Sequence, residues 1–378
     1  MADPVPLGFD PHADFRMSAF LKRCSEENPG HFWFASISGS FALFFTLSMC
    51  FRQSQALSKR PLCMQRTYYR GMLIFPMVWA LCCWCVLFAP LSHPLAELFM
   101  GQSEAQAIYS FLVILLMLVS IEARKRRPLG GLDPAGGSTA APLESVLDPT
   151  NMGIVIMQAV RDYGPQTYFA VPPFGCFFKR CCTPHHLSAR QLLWVSCLVK
   201  QYGILQIVVN SYFMWARLTL RKADASQVEP IARTCLKISG MLAVYGLFVM
   251  YKATYDLLHD WNTTRKFMAV KLVIGLSVVQ EKVVSKLMTT LPPMETNCFR
   301  THSDEKMHHF EIFLTSYFTL LETVILSRLI IKAFPADEVS DSPLKNLDLV
   351  ELELRQIHEK QSRDDLQRRE SIQRDPEV

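Results

Sequence analysis

The sequence contains none of the short motifs that mark the commonest active sites. It has no phosphate-binding P-loop, no Gly-x-Ser-x-Gly, no His-Glu-x-x-His and no pair of acids that suggests acid–base catalysis. Neither sign of charge dominates, since 39 lysines and arginines against 34 acidic residues leave a net charge of only +5. The basic residues stand beside apolar runs and form no single basic face. These absences argue against a soluble enzyme and against a nucleic-acid-binding protein.

The cysteines and the N-terminal residues lack two further patterns. The 12 cysteines do not resemble a disulfide framework, because many of them lie in or beside apolar runs. The first 30 residues hold five acidic residues and no apolar core, so they do not resemble a cleaved signal peptide. The first apolar run is therefore expected to act as an uncleaved membrane anchor.

Long apolar runs are what the sequence does have. Crossing about 30 Å of hydrocarbon takes about 20 apolar residues, and backbone groups shielded from water must pair within a helix. The runs predict an all-α membrane protein, a bundle of seven transmembrane helices. The predicted spans are 32–50, 71–91, 105–121, 191–216, 235–257, 266–288 and 309–333. A six-span bundle that lacks 266–288 is the structural alternative.

Lysine and arginine beside the spans predict the orientation of the bundle. Both are dense in the loops 51–70 and 122–190, whereas 92–104 has neither. Because cytosolic loops carry this excess, the N-terminus is expected outside and the C-terminus in the cytosol. The basic loop 217–234 disagrees, since it would lie outside. Asn262 begins the only N-x-Ser/Thr sequon and is predicted to face the cytosol, without a glycan.

These predictions divide the chain into three parts. Residues 1–31 form a non-cytosolic N-terminal segment, and 32–333 form the transmembrane domain, which includes the cytosolic loop 122–190. Residues 334–378 form a cytosolic tail with a short amphipathic helix and a disordered end. The apolar residues at helical spacing in this tail are Leu347, Val350, Leu354 and Ile357.

Polar residues inside the predicted spans are the candidate solute-binding residues. They are Lys200, Lys271, Gln280 and Glu322. Charge within hydrocarbon is costly, so it marks either a functional site or a structural ion pair. At 1.5 Å per residue Lys200 and Glu322 lie about 15 Å inside their spans and could meet near the midplane. Lys271 is close enough to a span end to reach the interface, while Gln280 is expected to hydrogen-bond inside the bundle.

Two groups of cysteines lie outside the spans. Cys176, Cys181 and Cys182 stand in a basic, aromatic-flanked loop before the fourth span, which is typical of S-palmitoylation. Zinc bound together with the nearby His-His pair is the alternative, although this spacing differs from that of usual zinc ligands. Cys24 and Cys298 fall in predicted non-cytosolic segments and are predicted to pair. No metal or cofactor site is predicted.

Four segments of the chain form a recognisable pattern. They are Gln65–Arg70 with the following Leu73–Met77, Cys176–Cys182 with Lys200, Lys266–Val273 with Ser277 and Gln280, and the polar seventh span before Arg328 and Lys332. Together they resemble the organic solute transporter alpha / transmembrane protein 184 family of heptahelical proteins over 60–330. Val279 stands where that family often has an aromatic residue, and the chain from 334 onward shows no match.

The resemblance implies a membrane transporter of amphipathic organic solutes, such as steroid or bile-acid-like anions, that acts by facilitated diffusion. Membrane lipid and organic solute are the expected partners, with a small single-span subunit or a homo-oligomer as the alternative assemblies. No enzymatic activity, cofactor or nucleic-acid partner is expected. The plasma membrane and an endomembrane are both open as locations. The alternative function is that of a non-transporting scaffold, a trafficking protein or a receptor-like protein.

Overall fold

The regular elements of the computed structural model are helices. It describes residues 29–60, 63–89, 92–126, 157, 167–171, 183–219, 222–272, 283, 286, 304–339, 355–360 and 362–363, and these contain no β-strand. The long helices are α1 Pro29–Ser58, α2 Met64–Phe88, α3 His93–Arg126, α4 Ala189–Thr219, α5 Lys222–Thr254, α6, which is described over 263–272, and α7 Asp304–Ala333. Short 3-10 turns cover His259–Trp261 and Ala336–Glu338.

Six of these helices are long and apolar enough to cross a membrane. They cover Phe32–Ser58, Met64–Phe88, His93–Glu122, Ala189–Trp215, Pro230–Thr254 and Ile312–Glu338. The all-helical membrane fold is thereby confirmed. The predicted span 266–288 is described only over 266–272, 283 and 286, all of them helical, so the count of seven stays a prediction.

The predicted loop 92–104 is wrong, because α3 already begins at His93. Pro94 lies in the first turn, where its missing N–H does not interrupt the helix. Within this helix the Glu97 carboxylate accepts two hydrogen bonds from Arg233 of α5, at 3.1 and 3.4 Å. A charge that is neutralised by a neighbouring helix does not end a helix, and the sequence alone could not show this pairing.

Side-chain contacts give the directions of α1, α2 and α7. Ser38 contacts Tyr317 (Oγ–Oη 3.0 Å), and further along both helices Gln53 donates to the carbonyl of Phe334 at 3.1 Å. Residue numbers rise together, so α1 and α7 are parallel. Helices α1 and α2 are joined by a short loop, yet Trp84 near the end of α2 donates to Ser40 in the first half of α1, at 3.1 Å. The chain therefore turns back after α1, and α2 is antiparallel to both α1 and α7.

The remaining helices continue this up-and-down arrangement around α3, the most deeply buried span. Trp79 of α2 donates to the carbonyl of Met100 of α3 at 3.1 Å. Helix α4 packs against both α3 and α5. Helix α6 runs antiparallel to α5, because the Tyr251 and Thr264 hydroxyls lie 3.0 Å apart while the Lys271 ammonium lies 5.5 Å from the Phe248 ring.

Apolar side chains cover the outside of the bundle. Helices α1 and α4 carry half of the large exposed ones among the described residues, including Trp33, Phe34, Phe41, Phe44, Phe45, Ile204, Ile207, Val208 and Trp215. In water such a surface would mark an interaction or aggregation site. On spans of this length it is the surface expected to contact lipid.

The contacts also define the two ends of the bundle. The loop-1 end carries the α1–α2 loop, the end of α3, the α5–α6 turn and residues 334–339, which we call the strap. Asn262 lies in this α5–α6 turn with a left-handed φ of 51°, a conformation that asparagine tolerates. The opposite end carries the Glu97–Arg233 ion pair.

Phe267 is the aromatic residue through which α6 packs against α3 and α5. Its ring stacks on Tyr251 (centroids 4.4 Å apart) and contacts Phe248 and Phe111 at 4.7 and 6.1 Å. We expect Phe267→Ala to lower the free energy of unfolding by about 3–5 kcal/mol, because it leaves a cavity among three helices. Thermal unfolding of the detergent-solubilised protein measures this. Met268→Ala is the matched control, since Met268 is exposed, and equal losses for both variants would contradict the packing.

Candidate functional site

A line of polar side chains runs along one face of α4. Asn210 Nδ2 donates to Gln206 Oε1 at 2.8 Å, and Gln206 Nε2 donates to the Tyr202 hydroxyl at 2.6 Å. The three residues are spaced four apart, so they lie above one another on the helix. Tyr202 and Gln206 are buried. The hydrogen bonds therefore form a continuous polar chain inside the apolar bundle.

The chain continues onto α3 at Glu104. Its carboxyl group is hydrogen-bonded to the Tyr202 hydroxyl, and the side chain is largely buried. Among the described residues no basic group forms an ion pair with it. We call Asn210, Gln206, Tyr202 and Glu104 the polar ladder. An ionisable residue within a transmembrane bundle is a functional-site candidate by default, because burying it costs free energy.

Gly101 permits the close approach of α3 to the polar ladder. A Cβ atom built at this position would lie 2.6 Å from Gln206 Oε1 and 2.9 Å from Asn210 Nδ2. A larger residue would therefore displace both amides. On the α5 side, a Cβ at Gly240 would lie 3.2 Å from the Tyr202 ring. The ladder thus lies between three helices, two of which carry glycine where they meet it.

The Glu97–Arg233 ion pair lies beyond the ladder, at the opposite end of the bundle. The Arg233 guanidinium also lies 5.8 Å from the ring of Phe213 on α4. Glu104 is seven residues further along α3 than Glu97, which at 1.5 Å per residue is about 10 Å deeper. The ladder therefore descends from the opposite end of the bundle toward its middle.

Further polar atoms near the ladder have no hydrogen-bond partner among the described residues. They are the buried Oε1 of Gln102, Nε2 of Gln201 and Oγ of Ser239. Gln102 and Gln201 neighbour ladder helix positions in sequence, and Ser239 precedes Gly240. A buried polar group without a partner costs about 1–3 kcal/mol. Helices α3, α4 and α5 therefore bury polar atoms beyond those of the ladder.

The described residues among the predicted site residues lie in different parts of the bundle. Lys200 is partly buried on α4, which packs against α3 and α5, while Glu322 is partly buried on α7, which packs against α1 and α2. The proposed pairing of these two residues stays a prediction. Lys271 is exposed and its ammonium faces the Phe248 ring at 5.5 Å. This cation–π contact agrees with a lysine that reaches the interface.

The other predicted site residues lie outside the described residues. They are Gln280, the lipidation candidates Cys176, Cys181 and Cys182, and the disulfide candidates Cys24 and Cys298. Their roles stay predictions.

The loop before α4 packs on the bundle on both sides of residues 172–182. Lys252 Nζ donates to the carbonyl of Thr167 at 2.6 Å, and the Tyr245 hydroxyl donates to the carbonyl of Phe169 at 2.9 Å. The Phe169 ring in turn stacks on His185, with centroids 5.8 Å apart. Burial in this contact raises the pKa of the Tyr168 phenol above its ordinary value. Residues 167–171 are therefore held against the bundle close to the start of α4.

A second polar network lies at the loop-1 end. Lys266 is fully buried, and its ammonium lies 2.6 Å from Glu338 Oε2 and donates to the carbonyl of Trp261 at 2.6 Å. The Tyr69 hydroxyl donates to the same Oε2 atom of Glu338 at 3.1 Å. We call Lys266 and Tyr69 the carboxylate cradle. It joins α2, α6 and the strap through one carboxylate oxygen.

Neighbouring groups hold the cradle in place. Trp261 Nε1 donates to Glu122 Oε2 at 3.2 Å, which attaches the α5–α6 turn to the end of α3. Gln65 Nε2 donates to the backbone carbonyl of Glu338 at 3.3 Å, and Arg60 forms an ion pair with Asp337. The network therefore includes the ends of most helices at this face of the bundle.

Sequence reasoning missed Glu104 and did not assign the cradle. Glu104 was placed in a loop, although the Tyr202, Gln206 and Asn210 spacing on α4 was a visible sign of a polar helix face. Lys266 lies in one of the four segments that carry the family resemblance, but the sequence assigned it no role. Glu338 was placed in the cytosolic tail. Lys266 and Glu338 lie 72 positions apart, and nothing in the sequence indicated that they would meet.

The comparisons with known proteins give one family. The model of the family described as organic solute transporter Ostalpha matches residues 34–339. The matched range includes every residue of the polar ladder and of the carboxylate cradle. Neither the curated proteins nor the solved structures yield a match.

Gly101 tests whether the ladder depends on the close approach of α3 and α4. Gly101→Ala places a methyl group against Gln206 Oε1, so we expect a loss of about 1–3 kcal/mol in stability from broken hydrogen bonds and strain. Gly203→Ala is the matched control, because its Cβ would meet only Ala105 Cβ, at 3.8 Å. Thermal unfolding of both variants and of wild type in detergent measures the difference in stability. A Gly101→Ala protein as stable as Gly203→Ala would contradict the close contact of α3 with the ladder.

Proposed function

The chain belongs to the Ostalpha organic solute transporter family, and we propose that it moves amphipathic organic solutes across a membrane by facilitated diffusion. The expected solutes are steroid or bile-acid-like anions. The family supports membrane solute transport, and the finer statement rests on the polar groups inside the bundle. The match overlaps all six candidate spans, so the whole transmembrane region enters the proposal.

The polar ladder is the observation that carries this proposal. A solute with a polar head can enter the bundle only where side chains replace the hydrogen bonds that it loses with water. The ladder offers amide, hydroxyl and carboxyl groups from the opposite end to about the middle of the bundle. The partnerless Gln102, Gln201 and Ser239 add further donors and acceptors. Apolar neighbours on α3, α4 and α5 would contact the body of the solute.

Lysine side chains supply the charge that an anionic head requires. Lys200 lies two residues before Tyr202 on the ladder helix, and Lys271 reaches the bundle surface from α6. In a low dielectric an opposite charge attracts an anion much more strongly than in water. We propose that Lys200 attracts the anionic head into the bundle beside α4, while Glu322 and Gln280 line the solute path on the side of α6 and α7.

Seven crossings agree best with the helix directions. Helix α6 starts at the loop-1 end and runs antiparallel to α5, away from that end. Helix α7 is 30 residues or about 45 Å long and returns to the same end, where Glu338 meets Lys266. These directions support a further crossing of the bundle between Lys266 and Asp304. We infer that 266–288 makes this crossing, with the loop-1 end in the cytosol.

The ladder predicts a selective loss of transport. Gln206→Leu interrupts the hydrogen-bond chain at its centre, so we expect the flux of radiolabelled cholate into proteoliposomes to fall about tenfold, as for about one lost buried hydrogen bond. The assay is run with and without a co-expressed single-span partner. Gln106→Leu makes the same chemical change at an exposed position of α3 and should leave flux unchanged. Folded wild-type protein without cholate flux in either setting would favour the scaffold alternative.

The orientation predicts where glycans can be attached. Asn262 lies at the loop-1 end, so we expect it to carry no glycan in cells. Arg16→Asn creates a sequon with Ser18 in the N-terminal segment and should be glycosylated there. Mass spectrometry and glycosidase digestion of both proteins test this. A glycan on Asn262 would reverse the proposed orientation.

A further inference from the structure

We propose that the carboxylate cradle is an anion-binding site of the transport path, which Glu338 occupies as an internal substitute for the anionic head of the solute. The inference rests on the proposed function, because it takes the solute to be an amphipathic anion. It concerns a different place from the polar ladder, namely the loop-1 end. The ligand class is a carboxylate or sulfate group attached to an apolar body.

The geometry of the cradle suits one anionic oxygen. The Lys266 ammonium at 2.6 Å and the Tyr69 hydroxyl at 3.1 Å converge on the same oxygen of Glu338. Hydrogen bonds between an ionised donor and an ionised acceptor are short and about twice as strong as neutral ones. A carboxylate from any other molecule would find the same two donors in the same place.

The two donors belong to elements that do not depend on Glu338. Lys266 is held by the carbonyl of Trp261, whose indole is in turn bound to Glu122. Tyr69 is fully buried on α2. The cradle is therefore built into α2 and α6, and these helices would keep its donors in position if the Glu338 side chain turned away.

Glu338, by contrast, comes from a short segment at the edge of the bundle. It ends a three-residue 3-10 turn that follows Pro335, and its side chain is 20% exposed although Lys266 is not exposed at all. The adjacent Asp337 is 89% exposed, so its ion pair with Arg60 holds the strap weakly. The buried side chains of Phe334, Ala336 and Val339 fix the strap to the bundle, so the part that would turn away from the cradle is the Glu338 side chain and not the strap.

A departing Glu338 must be replaced by another anion. Among the described residues it is the one acid within ion-pair distance of Lys266. Leaving a buried ammonium without its partner is strongly destabilising. Neutral molecules cannot offset that cost, whereas the head of an anionic solute can. The site therefore selects for a negative charge.

Aromatic side chains beside the cradle match the apolar part of such a solute. The Phe334 ring lies 5.3 Å from Tyr69 and 6.5 Å from Phe111, and Phe111 lies 6.1 Å from Phe267. A charge at one point and aromatic surface next to it fit an amphipathic anion better than inorganic phosphate. Because Glu338 competes for the cradle, it lowers the apparent affinity for the solute.

The test removes the internal competitor and keeps the cradle. Glu338→Gln eliminates the competing charge, so we expect purified protein in lipid nanodiscs to bind radiolabelled cholate about tenfold more tightly than wild type. Because this variant leaves buried Lys266 without its anion, its thermal unfolding should occur at a lower temperature than that of wild type, and cholate should raise that temperature. Methyl cholate, which lacks the charge, should show no such gain. Asp337→Asn is the matched control, since it makes the same type of change one residue away in an exposed ion pair, and its cholate affinity should equal that of wild type.

A double variant shows whether the gain needs the lysine. Lys266→Met combined with Glu338→Gln leaves no unpaired buried charge, so it avoids the folding defect expected of Lys266→Met alone. We expect it to lose the cholate affinity gained by Glu338→Gln while its thermal unfolding stays cooperative. Unchanged cholate binding in Glu338→Gln, equal gains for methyl cholate, or tight binding by the double variant would each overturn the inference. If wild-type liposomes still transport cholate in that event, the proposed function stands.

Discussion

A charged side chain buried in this bundle needs a partner from another element, because hydrocarbon supplies none. That requirement explains why charged residues sit inside α3 without interrupting it. Glu97 is satisfied by Arg233 of α5, and Glu104 by the Tyr202 hydroxyl of α4. The same requirement attaches the strap to the bundle, since buried Lys266 is neutralised by Glu338. Polar pairing therefore decides how the apolar helices are arranged relative to one another.

The two networks lie at different depths and on different helices, which suits a protein that passes a solute along. The polar ladder extends from the opposite end to about the middle of the bundle, between α3, α4 and α5. The carboxylate cradle lies at the loop-1 end, between α2 and α6. A solute that left the ladder would next meet a site already occupied by the protein's own carboxylate. Under the proposed function, the solute would exchange with that carboxylate and would not diffuse through an open channel.

The sequence predicted the six spans that the structure describes in full, because apolar length is a local property. It placed the start of the third span at 105, whereas α3 begins at His93. It selected Lys200 and Glu322 by depth alone, and depth says nothing about which helices are neighbours. Helix α4 packs on α3 and α5, and α7 packs on α1 and α2. Lateral order within a bundle is thus the part of the site that hydropathy leaves open.

By itself the sequence determined that the chain is a helical membrane protein related to organic solute transporters, because apolar runs and short motifs depend only on residues that are close together in sequence. Only the tertiary structure decided which polar groups act together. Lys266 and Glu338 are distant in sequence, yet their charged atoms lie 2.6 Å apart. They meet because α2 and α6 begin, and α7 ends, at the same face of the bundle. Such a contact depends on helix direction and neighbour choice, and neither leaves a periodic signal in the residues concerned.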